Sequence, residues 1–216
     1  MSPALLETPR NLREAWRKTY EGTDYRRLPW FSSSPSPVVR EGVQKKWFAR
    51  GTRVLDIGCG AGTNCLFLAK EGYRVSGIDL APGAIDAARE RARRAHLEVD
   101  FRVGDAVHLP FPQRTFGGVN DFGCFHTLPI RLRPGYCHEV ARVLRPGGTY
   151  LLSWMAREFP CKRFGPPHRP SLEEVTRVFE HNFIFRRAEY SDRGRGLPKF
   201  YTAVLERRAR PQPPPM

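Results

Sequence analysis

The stretch that most restricts this 216-residue chain is Val54-Leu55-Asp56-Ile57-Gly58-Cys59-Gly60-Ala61-Gly62-Thr63-Asn64, where a buried-strand run passes into a glycine-rich loop. Glycines there permit a sharp turn and a close approach of backbone to a ligand. The following stretch, Thr63 to Lys70, supplies a helix N-terminus with free N–H groups. Strand, loop and helix in that order form a grip for a nucleoside, and two nucleoside classes compete. A dinucleotide fingerprint requires G-x-G-x-x-G after the strand. Here Gly58, Gly60 and Gly62 alternate, and Thr63 stands where the third glycine would fall. The spacing argues against NAD.

Three acids sharpen the choice. Asp56 lies two residues before Gly58, where a carboxylate would repel a pyrophosphate but could hold a cationic amino-acid moiety, which favours S-adenosylmethionine. Asp79 follows 23 residues later, ending the run Tyr73 to Asp79 just before Leu80; a carboxylate at such a strand end can bind both ribose hydroxyls. Asp105, in Gly104-Asp105-Ala106 after the strand Val99 to Val103, can accept from an adenine amino group beside an apolar wall.

Taken in order, Val54 to Asn64, Gly77-Ile78-Asp79, Gly104-Asp105-Ala106, Leu109-Pro110-Phe111 and Val143-Leu144-Arg145-Pro146-Gly147-Gly148 resemble the signature of class I S-adenosylmethionine-dependent methyltransferases, over residues 50 to 155. The resemblance implies S-adenosyl-L-methionine as methyl donor and S-adenosyl-L-homocysteine as product. It also implies a cofactor site built from Asp56, Gly58, Cys59, Gly60, Asp79, Leu80, Asp105, Ala106 and Asp121. A narrower similarity, to small-molecule methyltransferases of the thiopurine, thiol and halide type, rests on the aromatic-rich N-terminal segment and Asp121-Phe122-Gly123-Cys124-Phe125-His126. No Asp/Asn-Pro-Pro-Tyr/Phe loop, which would resemble amino-directed base methyltransferases, occurs at Asn120 to Phe122.

The pattern of apolar runs and breakers predicts strand 53–57, helix 62–71, strand 73–79, helix 82–95, strand 98–103, strand 116–122, helix 133–144 and strand 148–154. A helix from Ser171 to His181 and two β-rich runs, Phe183 to Tyr190 and Lys199 to Glu206, follow. This alternation predicts an α/β fold: a Rossmann-like, doubly wound, mostly parallel seven-stranded sheet with a C-terminal antiparallel hairpin and an N-terminal helical cap. Residues 1–50 form the cap of that same domain, 51–207 the cofactor-binding domain and 208–216 a mobile tail. Within the cap, Thr8-Pro9 opens a helix over 8–21, and Ser36-Pro37 opens another running through Val43, Trp47 and Phe48. Asp105 to Thr115 is too short for a full crossover helix. Phe116 is followed by Gly117-Gly118 where the family usually carries an acid, so the start of strand four departs from the family pattern.

A chain of this length buries a full core without staples. Its five cysteines, Cys59, Cys65, Cys124, Cys137 and Cys161, show no C-x-x-C pairing and no zinc quartet, and read as reduced thiols. No secretory leader and no long apolar run is present, so a soluble, cytoplasmic protein without membrane association is expected. Net charge is +14, divided as +5 over residues 1–50, zero over 51–110, +3 over 111–160 and +6 over 161–216. The basic residues are dispersed in doublets rather than a stripe, which favours a small-molecule acceptor over nucleic acid as partner and leaves the oligomeric state open.

Methyl transfer from a sulfonium is an in-line displacement with a neutral leaving group, so positioning can supply most of the catalysis. The segment Asn120 to Pro129, past strand four, lies beside the expected sulfonium. His126 can take a proton from an alcohol or amine there, or only bind if the acceptor is a thiolate; it can equally be structural. Tyr20, Trp30 and Phe125, with Trp16 and Phe31, can wall the acceptor, and Arg131 or Arg133 can pair with an acceptor anion. Cys124 reads as a packing residue. The leading reading is transfer to a small soft or anionic nucleophile such as a thiol. Alternatives are an RNA or protein methyltransferase and a non-enzymatic module that binds the cofactor.

Overall fold

The computed structural model describes residues 9–156, 169–191 and 199–212. Cys161, most of the connection Pro160 to Pro170 and the last four residues of the tail lie outside the described residues. The run Val54-Leu55-Asp56-Ile57 is buried on both faces of β1 (Arg53–Ile57), as a central parallel strand must be. Around it lie β2 (Arg74–Asp79), β3 (Asp100–Val103), β4 (Phe116–Phe122), β5 (Leu144–Met155), β6 (Phe183–Ser191) and β7 (Phe200–Arg207), in the order β3-β2-β1-β4-β5-β7-β6. The first five positions are parallel; β7 runs antiparallel to both β5 and β6. The chain therefore winds outward from β1 in one direction and then the other. The crevice where that reversal occurs, at the carboxyl ends of β1 and β4, is where open α/β sheets receive ligands.

Helices cover both faces. On one, α2 (Pro37–Gln44), α3 (Thr63–Lys70) and α4 (Pro82–Arg94) pack Val39, Leu68 and Ile85 against Val54, Phe101 and Leu151. On the other, α5 (Arg133–Val143) and α6 (Leu172–Phe179) bury Tyr136, Val140 and Phe179 against Leu55, Val119 and Tyr150, and Leu12 of α1 (Pro9–Tyr20) joins this layer. Among the described residues no helix is long and apolar enough to cross a membrane.

Two boundaries depart from the sequence expectations for local reasons. The second cap helix stops at Gln44 rather than continuing through Trp47 and Phe48, because Lys46 adopts φ +57 and the Trp47 N–H turns back to the Gly42 carbonyl at 2.8 Å. That reversal delivers Phe48 into the core, fully buried. The fifth strand begins at Leu144, not 148: Leu144 pairs with Phe116, and the ladder shifts register before Gly118 meets Thr149. The glycine pair in β4 makes room for its neighbours, since a Cβ on Gly118 would lie 2.4 Å from the Phe48 ring. Between β3 and β4 there is no crossover helix, only a turn closed by an isolated Asp105–His108 bridge, as its length predicts.

The cap is fastened to the sheet domain rather than draped over it. The guanidinium of Arg91, near the end of α4, donates to the Ala61 carbonyl and to Thr63 Oγ1. It also lies over the rings of Tyr25 and Phe31, with centroids at 5.9 and 5.4 Å. Thr63 Oγ1 donates to the Ser32 carbonyl, and the Ser36 N–H to Asn64 Oδ1, both at 2.8 Å.

Candidate cofactor and acceptor site

β1 ends at Ile57, and the chain turns through Gly58 with φ +67, a region that side-chain-bearing residues avoid. A Cβ on Gly58 would stand 2.5 Å from Cys124 Cβ, so the segment after β4 rests directly on the glycine backbone. The Cys59 N–H donates to the Ile78 carbonyl at 3.0 Å, and the Gly60 N–H to Asp79 Oδ2 at 2.9 Å. Asp79 Oδ1 accepts from the Ala81 N–H at 2.9 Å, so one carboxylate ties the glycine loop to the entry of α4. Burial raises the Asp79 pKa, and the backbone donors of Ala81, Gly60 and Leu80 oppose that rise. Gly62, φ +77, caps α3; a side chain there would meet Phe101 at 2.8 Å.

Tyr20, at the end of α1, closes over this loop. Its hydroxyl lies 3.3 Å from the place a Gly60 Cβ would occupy and accepts from Trp30 Nε1 at 3.1 Å. Trp30 meets Trp16 edge-on, with ring centroids 5.4 Å apart. Burial, and then the Asp79 charge, push the Tyr20 phenol well above its ordinary pKa, so it stays a neutral hydroxyl. Tyr20 and Trp30, expected to wall the acceptor, thus gather at the glycine loop and Asp79. Asp105 is half-buried, accepts from the Val107 N–H at 3.1 Å and lies 3.9 Å from Arg13 of α1; Leu80 and Ala106 pack half-buried against the main core.

Asp56 and Asp121 are placed differently from expectation. Asp56 is 2% exposed and lies beneath the loop, where Oδ1 accepts from Asn120 Nδ2 at 2.6 Å and Oδ2 from Cys65 Sγ at 3.2 Å. Burial pushes its pKa up to about 6 against those two donors. It does not present an open carboxylate to a ligand ammonium. Asp121 is fully buried: Oδ1 accepts from the Cys124 N–H at 2.7 Å, and Oδ2 from the Phe125 N–H at 2.9 Å and from Tyr136 Oη at 2.5 Å. Its pKa is pushed up to about 7 by burial, opposed by these donors. Asp121 therefore pins the turn after β4 instead of reaching the cofactor, and Tyr136, itself 2.9 Å from Tyr150 Oη, anchors it from α5.

The acceptor side needs similar corrections. Phe125 has no exposed surface; it packs in the core on Tyr136 and Phe179, with centroids at 5.5 and 5.2 Å, and cannot touch an acceptor. Arg131 is exposed, whereas Arg133, two residues on, is buried with its guanidinium 5.2 Å from the Phe125 ring centroid. His126 is 6% exposed, and its Nδ1 accepts the Met155 N–H at 2.8 Å. Burial, then the charges of Arg133 and Arg169, push its pKa down to about 3. The lone pair with which it would act as a base is already engaged. Cys124 is half-buried against Gly58, and burial raises its thiol pKa, consistent with a packing role.

Over 173 residues the chain is 32% identical to the 2-heptyl-1-hydroxyquinolin-4(1H)-one methyltransferase of Mycobacteroides abscessus, covering 76% of this chain and 75% of that protein. The chain belongs to the class I S-adenosylmethionine-dependent methyltransferases. A family model described as a methyltransferase domain matches residues 54–148 of this methyltransferase. The fatty-acid O-methyltransferase of Mycolicibacterium smegmatis is 41% identical over 104 residues, which span 47% of this chain but 36% of that protein. Among solved structures, the Burkholderia thailandensis 1,6-didemethyltoxoflavin-N1-methyltransferase, with its namesake ligand and S-adenosylhomocysteine bound, superposes with a TM-score of 0.74. It is 20% identical and covers 96% of this chain and 91% of that one, a likeness of fold.

S-adenosylmethionine is the cofactor of this methyltransferase. The residues present fit it: the left-handed Gly60 leaves loop backbone bare beneath Tyr20, and the carboxylate of Asp79 stands at the end of β2. Several groups that build the site escape a reading of the sequence: Asn120 beneath Asp56, Tyr136 beneath Asp121, Arg91 holding the cap, and the Met155 N–H on His126. No local motif announces them, because each acts across strand register or between elements far apart in sequence.

Proposed function

We propose that this methyltransferase transfers the methyl group of S-adenosylmethionine to a small organic acceptor that enters past Gly123, with an oxygen as the favoured nucleophile. The observation that carries the cofactor half is the Gly60 N–H to Asp79 hydrogen bond, which sets a carboxylate and a side-chain-free loop edge to edge under Tyr20. In this reading Asp79 receives the ribose hydroxyls, the backbone of Gly58 to Gly60 receives the amino-acid portion, and Asp105 and Ala106 flank the adenine. Tyr20, Trp30 and Trp16 exclude water above it. Asp56 supports the loop from below through Asn120 and Cys65. When bound, the cofactor supplies an electrophilic methyl group on a sulfonium.

The acceptor half is supported by what relatives are named for: a fatty-acid O-methyltransferase, a malonyl-[acyl-carrier protein] O-methyltransferase and a ubiquinone biosynthesis O-methyltransferase, besides the hydroxyquinolone enzyme. Those names favour oxygen over the thiol expected from sequence. Holding reactants in line contributes roughly 7–11 kcal/mol in well-oriented systems, so positioning by a pinned post-β4 turn is a sufficient catalytic device.

Calorimetry with S-adenosylhomocysteine and with NAD tests the first half, and radiolabelled methyl transfer to a panel of phenols, carboxylic acids, thiols and RNA tests the second. Asp79→Asn removes charge-assisted hydrogen bonds of about 1.5–3 kcal/mol, which corresponds to roughly 10–100-fold weaker S-adenosylhomocysteine binding. Unchanged affinity in that variant, or methyl transfer confined to RNA, would refute the proposal.

A further inference from the structure

His126 sits three residues beyond Gly123, the first residue after β4, and its orientation is set by the backbone. The Met155 N–H is a donor that cannot be reversed, and it reaches Nδ1 at 2.8 Å. Nδ1 must then be the unprotonated nitrogen, so in the neutral imidazole Nε2 carries the hydrogen. The Nε2 edge is turned toward Gly123: a Cβ there would lie 3.5 Å from Nε2 and 3.4 Å from Cε1. Because Gly123 has no side chain, and takes φ +96, that edge of the largely buried ring faces bare backbone at the end of β4 rather than another side chain. The charged groups that face the ring are Arg133 at the start of α5 and Arg169 ahead of α6; from β7 the neighbour is the Phe200 ring, its centroid 6.5 Å away. Glu174 of α6 in turn faces Arg133.

An imidazole whose only lone pair is taken by a backbone N–H has nothing left to accept a proton, and its fixed Nε2–H is a donor that can stabilise a negative oxygen. We propose that the acceptor reaches His126 already ionised, as a phenolate, N-oxide anion or carboxylate, and that Nε2–H donates a hydrogen bond to the anionic group, with His126 serving as donor and not as base. This rests on the reading of the chain as a small-molecule methyltransferase and narrows its substrate class to oxyanions. The charges balance: an oxygen lone pair forms the new bond to the methyl carbon, the bonding pair of the broken carbon–sulfur bond remains on sulfur, and no proton is released in the step. The depressed pKa of His126, about 3, agrees with a ring kept neutral as a donor throughout the working range.

The first test uses the native sequence and needs no acceptor. In histidine-15N-labelled protein, with the signal assigned by its loss in His126→Gln, a long-range proton–nitrogen spectrum is expected to show His126 protonated at Nε2 and neutral from about pH 5 to about 9. A protonated Nδ1, or a charge change in that range, overturns the proposal. The second test uses 4-nitrophenol and nitrobenzene as probes on protein saturated with S-adenosylhomocysteine. Affinity for 4-nitrophenol is expected to fall about tenfold per pH unit below the probe's own pKa, while nitrobenzene stays flat. His126→Phe is expected to weaken the anion about tenfold and leave nitrobenzene unchanged. An anion that binds no better than nitrobenzene at any pH overturns the proposal. Failure of S-adenosylhomocysteine to bind at all would count against the methyltransferase reading instead, since the histidine spectrum is read without it.

Discussion

Replacing Gly58 by alanine isolates the contact on which the glycine loop and the post-β4 segment meet. Two penalties add there. The left-handed backbone, φ +67, costs an L-residue about 1–2 kcal/mol, and a Cβ placed 2.5 Å from Cys124 Cβ forces a displacement of the overpacking kind, about 1–3 kcal/mol. Gly22 provides the control, because it has nearly the same φ, +66, with nothing within 4 Å of an added methyl, so Gly22→Ala carries only the backbone share. Urea unfolding followed by tryptophan fluorescence should therefore show about 2–5 kcal/mol lost for Gly58→Ala and about 1–2 kcal/mol for Gly22→Ala. Adding Cys124→Gly removes the opposing atom and should return the contact share of about 1–3 kcal/mol while the backbone share stays. Calorimetry should find S-adenosylhomocysteine binding weakened in Gly58→Ala and intact in Gly22→Ala. Equal losses in the two alanine variants, or no recovery on removing the Cys124 side chain, would show that the two segments do not bear on each other as described.

Other perturbations separate the remaining layers of the site. Tyr136→Phe deletes a donor to the buried Asp121 carboxylate and should cost about 1.5–3 kcal/mol in urea unfolding, with the Tyr150 hydroxyl unable to replace it at the same oxygen. Arg91→Ala removes the guanidinium that lies over the Tyr25 and Phe31 rings of the cap while bonding Ala61 and Thr63 beneath, so limited trypsin digestion should cut faster at Arg26 and Arg27 while the sheet domain survives. The buried His126 gives an acid signature whose sign is set by its lowered pKa. Above the unfolded value of about 6.5 the ring is neutral in both states. Below it only the unfolded chain takes up the proton, so stability falls by about 1.4 kcal/mol per pH unit down toward pH 3. Asp56 and Asp121, raised to about 6 and about 7, work in the opposite sense, because the folded state binds their protons first as pH drops. Comparison with His126→Gln removes that background: the wild-type advantage should shrink by about 1.4 kcal/mol per unit below pH 6.5, and a constant difference would refute a neutral buried ring.

Much of the nucleoside half is legible in the sequence because its signal is local. An apolar run, an acid and alternating glycines fall within eleven consecutive residues, and Asp79 closes the next apolar run. Alternation of periods likewise announces the strands and helices to within a few residues. What escapes is non-local. Asn120 meets Asp56 across strand register, Tyr136 meets Asp121 from a helix, and nothing in the residues around either member encodes the pairing. Arg131 and Arg133 look interchangeable in sequence, yet the short turn Ile130–Leu132 leaves the first in solvent and sends the second inward at the start of α5. His126 suggests a proton acceptor by residue type alone; its tautomer turns on one backbone N–H from β5, 29 residues away. Reach of the cap cannot be foreseen either, since Tyr20 lies 40 residues before the glycine it covers.

The bonds of Thr63 and Asn64 to the cap, and the stacking of Arg91 on its Tyr25 and Phe31 rings, have a kinetic consequence. The cover over the glycine loop is held to α3 and α4, whereas Gly123, past which we propose the acceptor enters, belongs to a different part of the chain. On that proposal nucleoside exchange requires several contacts to let go together, while acceptor exchange need not disturb them. Turnover under saturating acceptor would be paced by release of the spent nucleoside, and loosening the cap would raise that rate at the cost of affinity.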